Sequence, residues 1–180
     1  MEEQLIETTV IIRRTSKMTS GGRKFHIDAW VVVGNGNGRV GVGHGKAQET
    51  PDAIQKAIRK AKKNMIRAIV WRGTVPHDIQ VKFKATKLLI KPASPGTGII
   101  ASRPVRAILE AAGYRNVLTK LIGSTNPINA LYATIKALSM MRSPDEVLSA
   151  RGKKKRVKPT EGNGVKEEVK NEEAKDNAEA

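Results

Sequence analysis

The 180-residue sequence contains no cysteine. Disulfides, thiolate nucleophiles and sulfur-ligated zinc are therefore excluded, and a reducing compartment fits. Aromatic residues are scarce: Phe25, Trp30, Trp71, Phe83, Tyr114 and Tyr132 are the whole set. Several of them keep apolar company that suits core positions, which leaves few rings for stacking on unpaired bases. No apolar run approaches the ~20 residues that cross a bilayer, and the acidic start Met1-Glu2-Glu3 lacks the basic opening of a secretory leader. A soluble, cytoplasmic chain is expected. His26, His44 and His77 share no metal-ligand spacing, and Gly-x-Ser-x-Gly is absent. Strand pairing that brought His26 near His44 would still supply no second acidic ligand. The chain reads as a non-enzyme with no catalytic residue, no metal, no cofactor and no small-molecule substrate.

Negative charge is also short over most of the chain. The net charge is +16, yet residues 161–180 hold seven acidic and three basic side chains, so the first 160 residues carry +20. Such an excess calls for a polyanion, because neutralising phosphates with release of counterions turns it into binding energy. An anionic membrane suits it less well, since no segment has the aromatic and leucine face of an interfacial anchor. With so few aromatics, recognition of RNA backbone and folded shape is expected over reading of splayed bases.

Glycine, by contrast, is abundant in one place: six fall between Gly34 and Gly45. Gly36, Gly38 and Gly41 satisfy the dinucleotide fingerprint G-x-G-x-x-G, whose chemistry requires a helix to open there and present its amides to a pyrophosphate. Instead Val40, Gly41, Val42, Gly43, His44 and Gly45 alternate with a period of two, which is a strand, and Lys56, Arg59 and Lys60 occupy the place of the ribose-binding acid. The run is therefore read as a hairpin, with Asn35-Gly36 and Asn37-Gly38 suited to a tight turn. Gly41, Gly43 and Gly45 then leave one strand face bare, open to a packed helix or to a nucleic-acid backbone.

Strands are expected over residues 7–15, 25–33 and 39–46, with a flexible basic turn at 20–24. A helix should follow, capped by Thr50 with Pro51 first in the helix, burying Ile54, Ala57, Ile58 and Ala61. Its other face is cationic through Lys56, Arg59, Lys60, Lys62, Lys63 and Arg67, with no acidic residue interspersed. Further on, strands are expected at 79–85, 87–91 and 117–122, and a helix at 103–112 ended by Gly113. A second helix should be capped by Asn126 and bury Ile128, Leu131, Tyr132, Ile135 and Leu138, and Ser143 to Glu146 form a capping box. The glycine loops 96–98 and 123–126 are read mainly as turns and caps, with phosphate contact as the alternative.

In order along the chain, Gly21-Gly22-Arg23, Gly36-Asn37-Gly38-Arg39-Val40-Gly41, Gly45-Lys46-Ala47, Pro92-Ala93-Ser94-Pro95-Gly96-Thr97-Gly98-Ile99-Ile100-Ala101 and Gly123-Ser124-Thr125-Asn126-Pro127-Ile128-Asn129 resemble bacterial small-subunit ribosomal protein five. The resemblance covers residues 5–150. It implies an α+β chain of two small domains. The first, 1–73, would be a double-stranded-RNA-binding-like domain of three strands and a helix; the second, 74–150, an α/β domain with a left-handed βαβ crossover. The charged segment 151–180, which has no apolar period, is expected to be disordered. The resemblance further implies binding to small-subunit ribosomal RNA, small-subunit ribosomal proteins four and eight as neighbours, messenger RNA nearby, and support of subunit assembly and translational accuracy. Ser20, Gly21, Gly22, Arg23 and Lys24 match the family's spectinomycin-response loop. Residues 101–115, with Arg103, Arg106 and Arg115, are where contact with protein four is expected. Candidate RNA contacts are Arg13, Arg14, Lys17, Gly21, Gly22, Arg23, Lys24, Arg39, Lys46, Lys56, Arg59, Lys60 and Lys63. A free-standing double-stranded-RNA-binding or RNA chaperone module is the alternative.

Overall fold

The computed structural model describes residues 5–152, built on two four-stranded sheets. The chain forms one body up to Val147 and a second unit from Leu148, of which only the end of a helix and a turn are described. The rest of the expected disordered tail lies outside the described residues.

The first sheet runs in the order β1 (Ile6–Thr19), β2 (Gly22–Gly34), β3 (Arg39–Ala47) and β4 (Met65–Arg67), all antiparallel, with α1 (Thr50–Lys63) joining the last two strands. The sequence pattern gives three of these strands. The fourth has only three residues, too few for a period of two to register. β1 and β2 also extend beyond the expected ends, so the basic turn shrinks to Ser20 and Gly21, while Gly22, Arg23 and Lys24 pair with Thr19, Met18 and Lys17. Because β3 reaches only as far as Ile27 on β2, the outer part of this hairpin stands as a two-stranded arm.

The β2–β3 connection corrects another expectation. Neither Asn-Gly dipeptide forms a two-residue turn. Asn35 N–H donates to the Arg39 carbonyl at 3.1 Å and Asn35 Oδ1 accepts from the amides of Asn37 and Arg39, leaving Gly36-Asn37-Gly38 as a three-residue tip. The resulting register sets His44 opposite Trp30, while His26 pairs with Thr15, beyond the end of β3.

The bare face of Gly41, Gly43 and Gly45 is filled by α1. Alternate strand residues lie roughly 6.8 Å apart and helix residues four apart roughly 6 Å, so three successive glycines meet three successive alanines, Ala61, Ala57 and Ala53. A Cβ on Gly43 would collide with the Ala57 carbonyl and lie 2.6 Å from Ala61 N; one on Gly45 would lie 2.6 Å from Ala57 N. The buried stripe of α1 is accordingly Ala53, Ala57 and Ala61, with Ile54 and Ile58 only partly covered. Its N-cap is Glu49 rather than Thr50, without a side-chain bond.

The second sheet has the order β5-β6-β8-β7, from β5 (Ile79–Phe83), β6 (Thr86–Pro92), β7 (Ile99–Ile100) and β8 (Val117–Gly123). β7 and β8 are parallel and linked by α2 (Arg103–Ala112), a βαβ unit. α3 (Pro127–Met140) follows, then α4 (Pro144–Ala150). The expected terminators act as read. Gly113 takes φ +90° after α2, Asn126 Oδ1 accepts from Ile128 N–H, and Ser143 and Glu146 cap each other at 3.1 Å in both directions. On α3 the buried residues are Ala130, Leu131, Ala133, Thr134, Ala137 and Leu138, whereas Tyr132 is exposed.

α2 is shared between the two sheets. One core cluster joins Trp30, Val32 and Val40 of the first sheet to Val105, Ile108 and Leu109 of α2, Leu131 and Leu138 of α3, and Leu88 and Ile90 of the second sheet. The tip of the β2–β3 hairpin closes this arrangement, since Gly36 and Gly38 amides donate to the carbonyls of Ala111 and Ala112 at 3.0 and 2.9 Å. These are helix-end acceptors that no turn of α2 would satisfy. Tyr114 adds a tie, its hydroxyl donating to the Ile69 carbonyl at 2.9 Å, and burial pushes its ionisation above the usual range so that it stays a donor.

Gly43→Ala is expected to destabilise the protein by about 3 kcal/mol or more, since the colliding atoms are backbone and cannot step aside. Gly21→Ala, with open space around it, should change stability by less than about 0.5 kcal/mol. Urea unfolding of the two variants measures the contrast.

Candidate nucleic-acid interface

All thirteen candidate RNA contacts are exposed, but the structure does not bring them onto one surface. Residues paired across antiparallel strands share a sheet face. The register therefore puts Arg13, Lys17, Lys24 and Lys46 on the face that carries Trp30, and Arg14 and Arg23 on the face that carries α1. Arg39 starts β3 opposite Arg67. Gly21 and Gly22 sit at the arm's tip with no neighbour near their missing side chains, so close approach of a backbone is open there.

On α1, Lys56, Arg59, Lys60 and Lys63 fall at i, i+3, i+4 and i+7, one exposed stripe. Lys60, Lys62 and Lys63 also sit in the last turn, where cations oppose the negative helix end. Lys62 differs from its neighbours because its ammonium lies 3.1 Å from Glu7 on β1. The helix thus has an acidic partner after all, supplied by a strand distant in sequence.

The arm concentrates charge. Lys17 and Lys24 stand directly opposite each other, an arrangement that costs about 0.2–1 kcal/mol between like charges. Nearby, the Arg14 guanidinium covers the half-exposed Phe25 ring at 3.9 Å. Phe25 is thus a surface residue.

The three expected protein-interface residues separate into two places. Arg103 and Arg106 are exposed at the start of α2, lining a groove with Thr8, Thr9 and Val10 of β1. Arg115 lies past the far end of the helix, about 15 Å along by helical rise, with its amide bonded to the Gly73 carbonyl at 2.8 Å.

The glycine loops take the turn and cap roles read for them. Gly96 and Gly98 amides both donate to Asn116 Oδ1, at 3.1 and 3.0 Å, and Thr97 N–H donates to the Ser94 carbonyl. Ser124 N–H is held by the Ala85 carbonyl. These four amides shape the loops.

Sequence reasoning missed one basic surface. The face of the second sheet turned away from Leu88 and Ile90 carries Lys82, Lys87, Lys91 and Lys120, with Leu118 and Ile122 exposed among them. Alternation of Lys87, Leu89 and Lys91 with buried Leu88 and Ile90 was the available signal. Among the described residues no group of three or more metal-ligating side chains is present, and no helix is long and apolar enough to cross a membrane.

Residues 5–68 match the family model of the Ribosomal protein S5, N-terminal domain, and residues 81–151 that of the Ribosomal protein S5, C-terminal domain. The chain belongs to the ribosomal protein S5 family. It is 51% identical over 148 residues to small ribosomal subunit protein uS5 of Chloroflexus aurantiacus, covering 82% of this chain and 83% of that one. It is also 51% identical over 146 residues to small ribosomal subunit protein uS5 of Thermus thermophilus, covering 81% and 90%. The two matched segments of the S5 family correspond to the two sheets, with α1 in the first and α2 and α3 in the second.

Arg23→Ala and Lys60→Ala should each weaken RNA binding and flatten its salt dependence by about 0.9 in slope, the effect of one phosphate contact. Lys62→Ala, whose ammonium is committed to Glu7, should leave the slope unchanged. Filter binding over a salt series distinguishes them, and equal slopes for all three would remove Arg23 and Lys60 from the interface.

Proposed function

We propose that this S5-family chain is a structural, non-enzymatic constituent of the small ribosomal subunit that holds folded small-subunit ribosomal RNA by its phosphates. The observation carrying this reading is the arm and its base: Lys17 and Lys24 oppose each other on the arm beside Arg23, Arg13 and Arg14 follow at its base, and none of the three arginines has an ion pair among the described residues. Like charges held this way are relieved by a polyanion laid between them. The relatives, named as small ribosomal subunit proteins, support the same reading and with it a place in the cytoplasmic ribosome.

In this reading the chain works as two domains, 1–73 and 74–150, the first offering the arm and the α1 stripe to RNA. Ser20 to Lys24 reach RNA at the arm tip, where spectinomycin response is set. Arg103 and Arg106 face small-subunit ribosomal protein four from the start of α2, with Arg115 at the far end of the same contact. Small-subunit ribosomal protein eight and messenger RNA are further neighbours, and the chain supports assembly and translational accuracy by fixing RNA against protein.

Tagged full-length chain in a cell lysate should sediment with the small-subunit peak on a sucrose gradient. Tagged chain found only in the light fractions, but still binding duplex RNA, would replace the ribosomal reading with that of a free-standing RNA-binding module.

A further inference from the structure

Three polar atoms on the Trp30 face of the first sheet are buried without a hydrogen-bond partner: Asp28 Oδ1, Trp30 Nε1 and His44 Nε2. They belong to one cluster. The His44 ring stacks on the Trp30 indole at 4.2 Å between centroids and 27° between planes. Its Nε2 lies 3.8 Å from Asp28 Oδ1, with the Asp28 side chain 14% exposed and that of His44 32%. A small ring movement brings Nε2–H onto the carboxylate and satisfies two of the three atoms, so Asp28 selects the tautomer with hydrogen on Nε2. Nδ1 is left on the exposed part of the ring.

What Nδ1 meets is set by its neighbours. Cross-strand pairing places Asp28 between Arg13 and Lys46, with His26 one pair further along this face and Arg103 beside Arg13 at the groove of β1. The surroundings are therefore mainly cationic, with the Asp28 carboxylate at 3.8 Å from Nε2 and that of Glu110 further along α2, in the groove it shares with Arg103 and Arg106. A neutral Nδ1 offers a lone pair, which repels a phosphate oxygen; a protonated Nδ1 donates to it and adds a positive charge.

We propose that His44 is an RNA phosphate contact, positioned by Asp28 and Trp30, and that RNA binding takes up one proton from solution at its Nδ1. This rests on the RNA-binding reading above and adds a residue and a pH dependence to it. The proton becomes the Nδ1–H that donates to phosphate, while Nε2–H remains on Asp28.

The test uses the full chain and transcribed small-subunit ribosomal RNA, with affinity measured from pH 5.5 to 8 at several salt concentrations. For the wild type, affinity should rise as pH falls, by up to about tenfold per pH unit at its steepest, and the salt slope should steepen by about 0.9 at the acidic end. His44→Gln should lose both changes, whereas His26→Gln should keep them. Calorimetry of the unaltered chain in two buffers of different ionisation enthalpy should report uptake of about one proton at intermediate pH. Identical pH and salt dependence in wild type and His44→Gln, or binding without proton uptake, would overturn the proposal while leaving RNA binding intact. Absence of RNA binding at every pH would overturn both.

Discussion

Everything in the first sheet depends on how closely α1 can lie on it. Gly41, Gly43 and Gly45 supply no side chains and the α1 residues facing them are Ala53, Ala57 and Ala61, so along this line backbone meets backbone with a single methyl layer between, flanked by the partly covered Ile54 and Ile58. Little apolar area is buried per residue in such a contact, and its stability comes from dense packing rather than bulk. The gain is position. A helix seated this closely carries Lys56, Arg59, Lys60 and Lys63 at a fixed distance from the arm cations on β1 and β2. The same glycine run then turns through Gly36 and Gly38 to occupy the end of α2. One stretch of sequence thus locates a helix on each face of the sheet.

The charge distribution follows a different logic from the packing. Cations cluster where no core demands them: on an arm two strands wide, on the outer stripe of α1 and on the outer face of the second sheet. Most of them have no acidic partner among the described residues, and Lys17 and Lys24 are set directly opposite each other. A free chain holds this charge at a cost in stability, and a polyanion offsets the cost on binding. Lys62 with Glu7 is an exception that shows the difference, since that pair fastens α1 to β1 and serves the fold.

Much of this was legible from the sequence, and the parts that were not share a cause. The limits of α2 follow from Pro104 near its start and Gly113 past its end, and the capping roles of Asn126, Ser143 and Glu146 follow from local chemistry alone. The hairpin was legible because the period of two continues past the glycines. What was hidden depends on register. His44 meets Trp30 and Asp28 because the hairpin tip has three residues rather than two, and a change of one residue would have paired different side chains. The alanines of α1 were partly read, but their alignment with alternate glycines on β3 needs two repeats compared in space. β4 and β7 are too short to leave a pattern. The division of the cations between two faces was likewise invisible, since composition counts charge without direction.

The shared use of α2 bears on the order in which the chain is made. Trp30, Val32 and Val40 belong to strands completed by residue 47, yet the helix that covers them is not finished until Ala112. A chain emerging from N- to C-terminus therefore forms its first sheet with one face dressed by α1 and the other still open to water. For the length of some sixty residues, the synthesis of one protein leaves an apolar surface exposed. The stage most open to misassociation comes before the second sheet exists, and the arrival of α2 ends it.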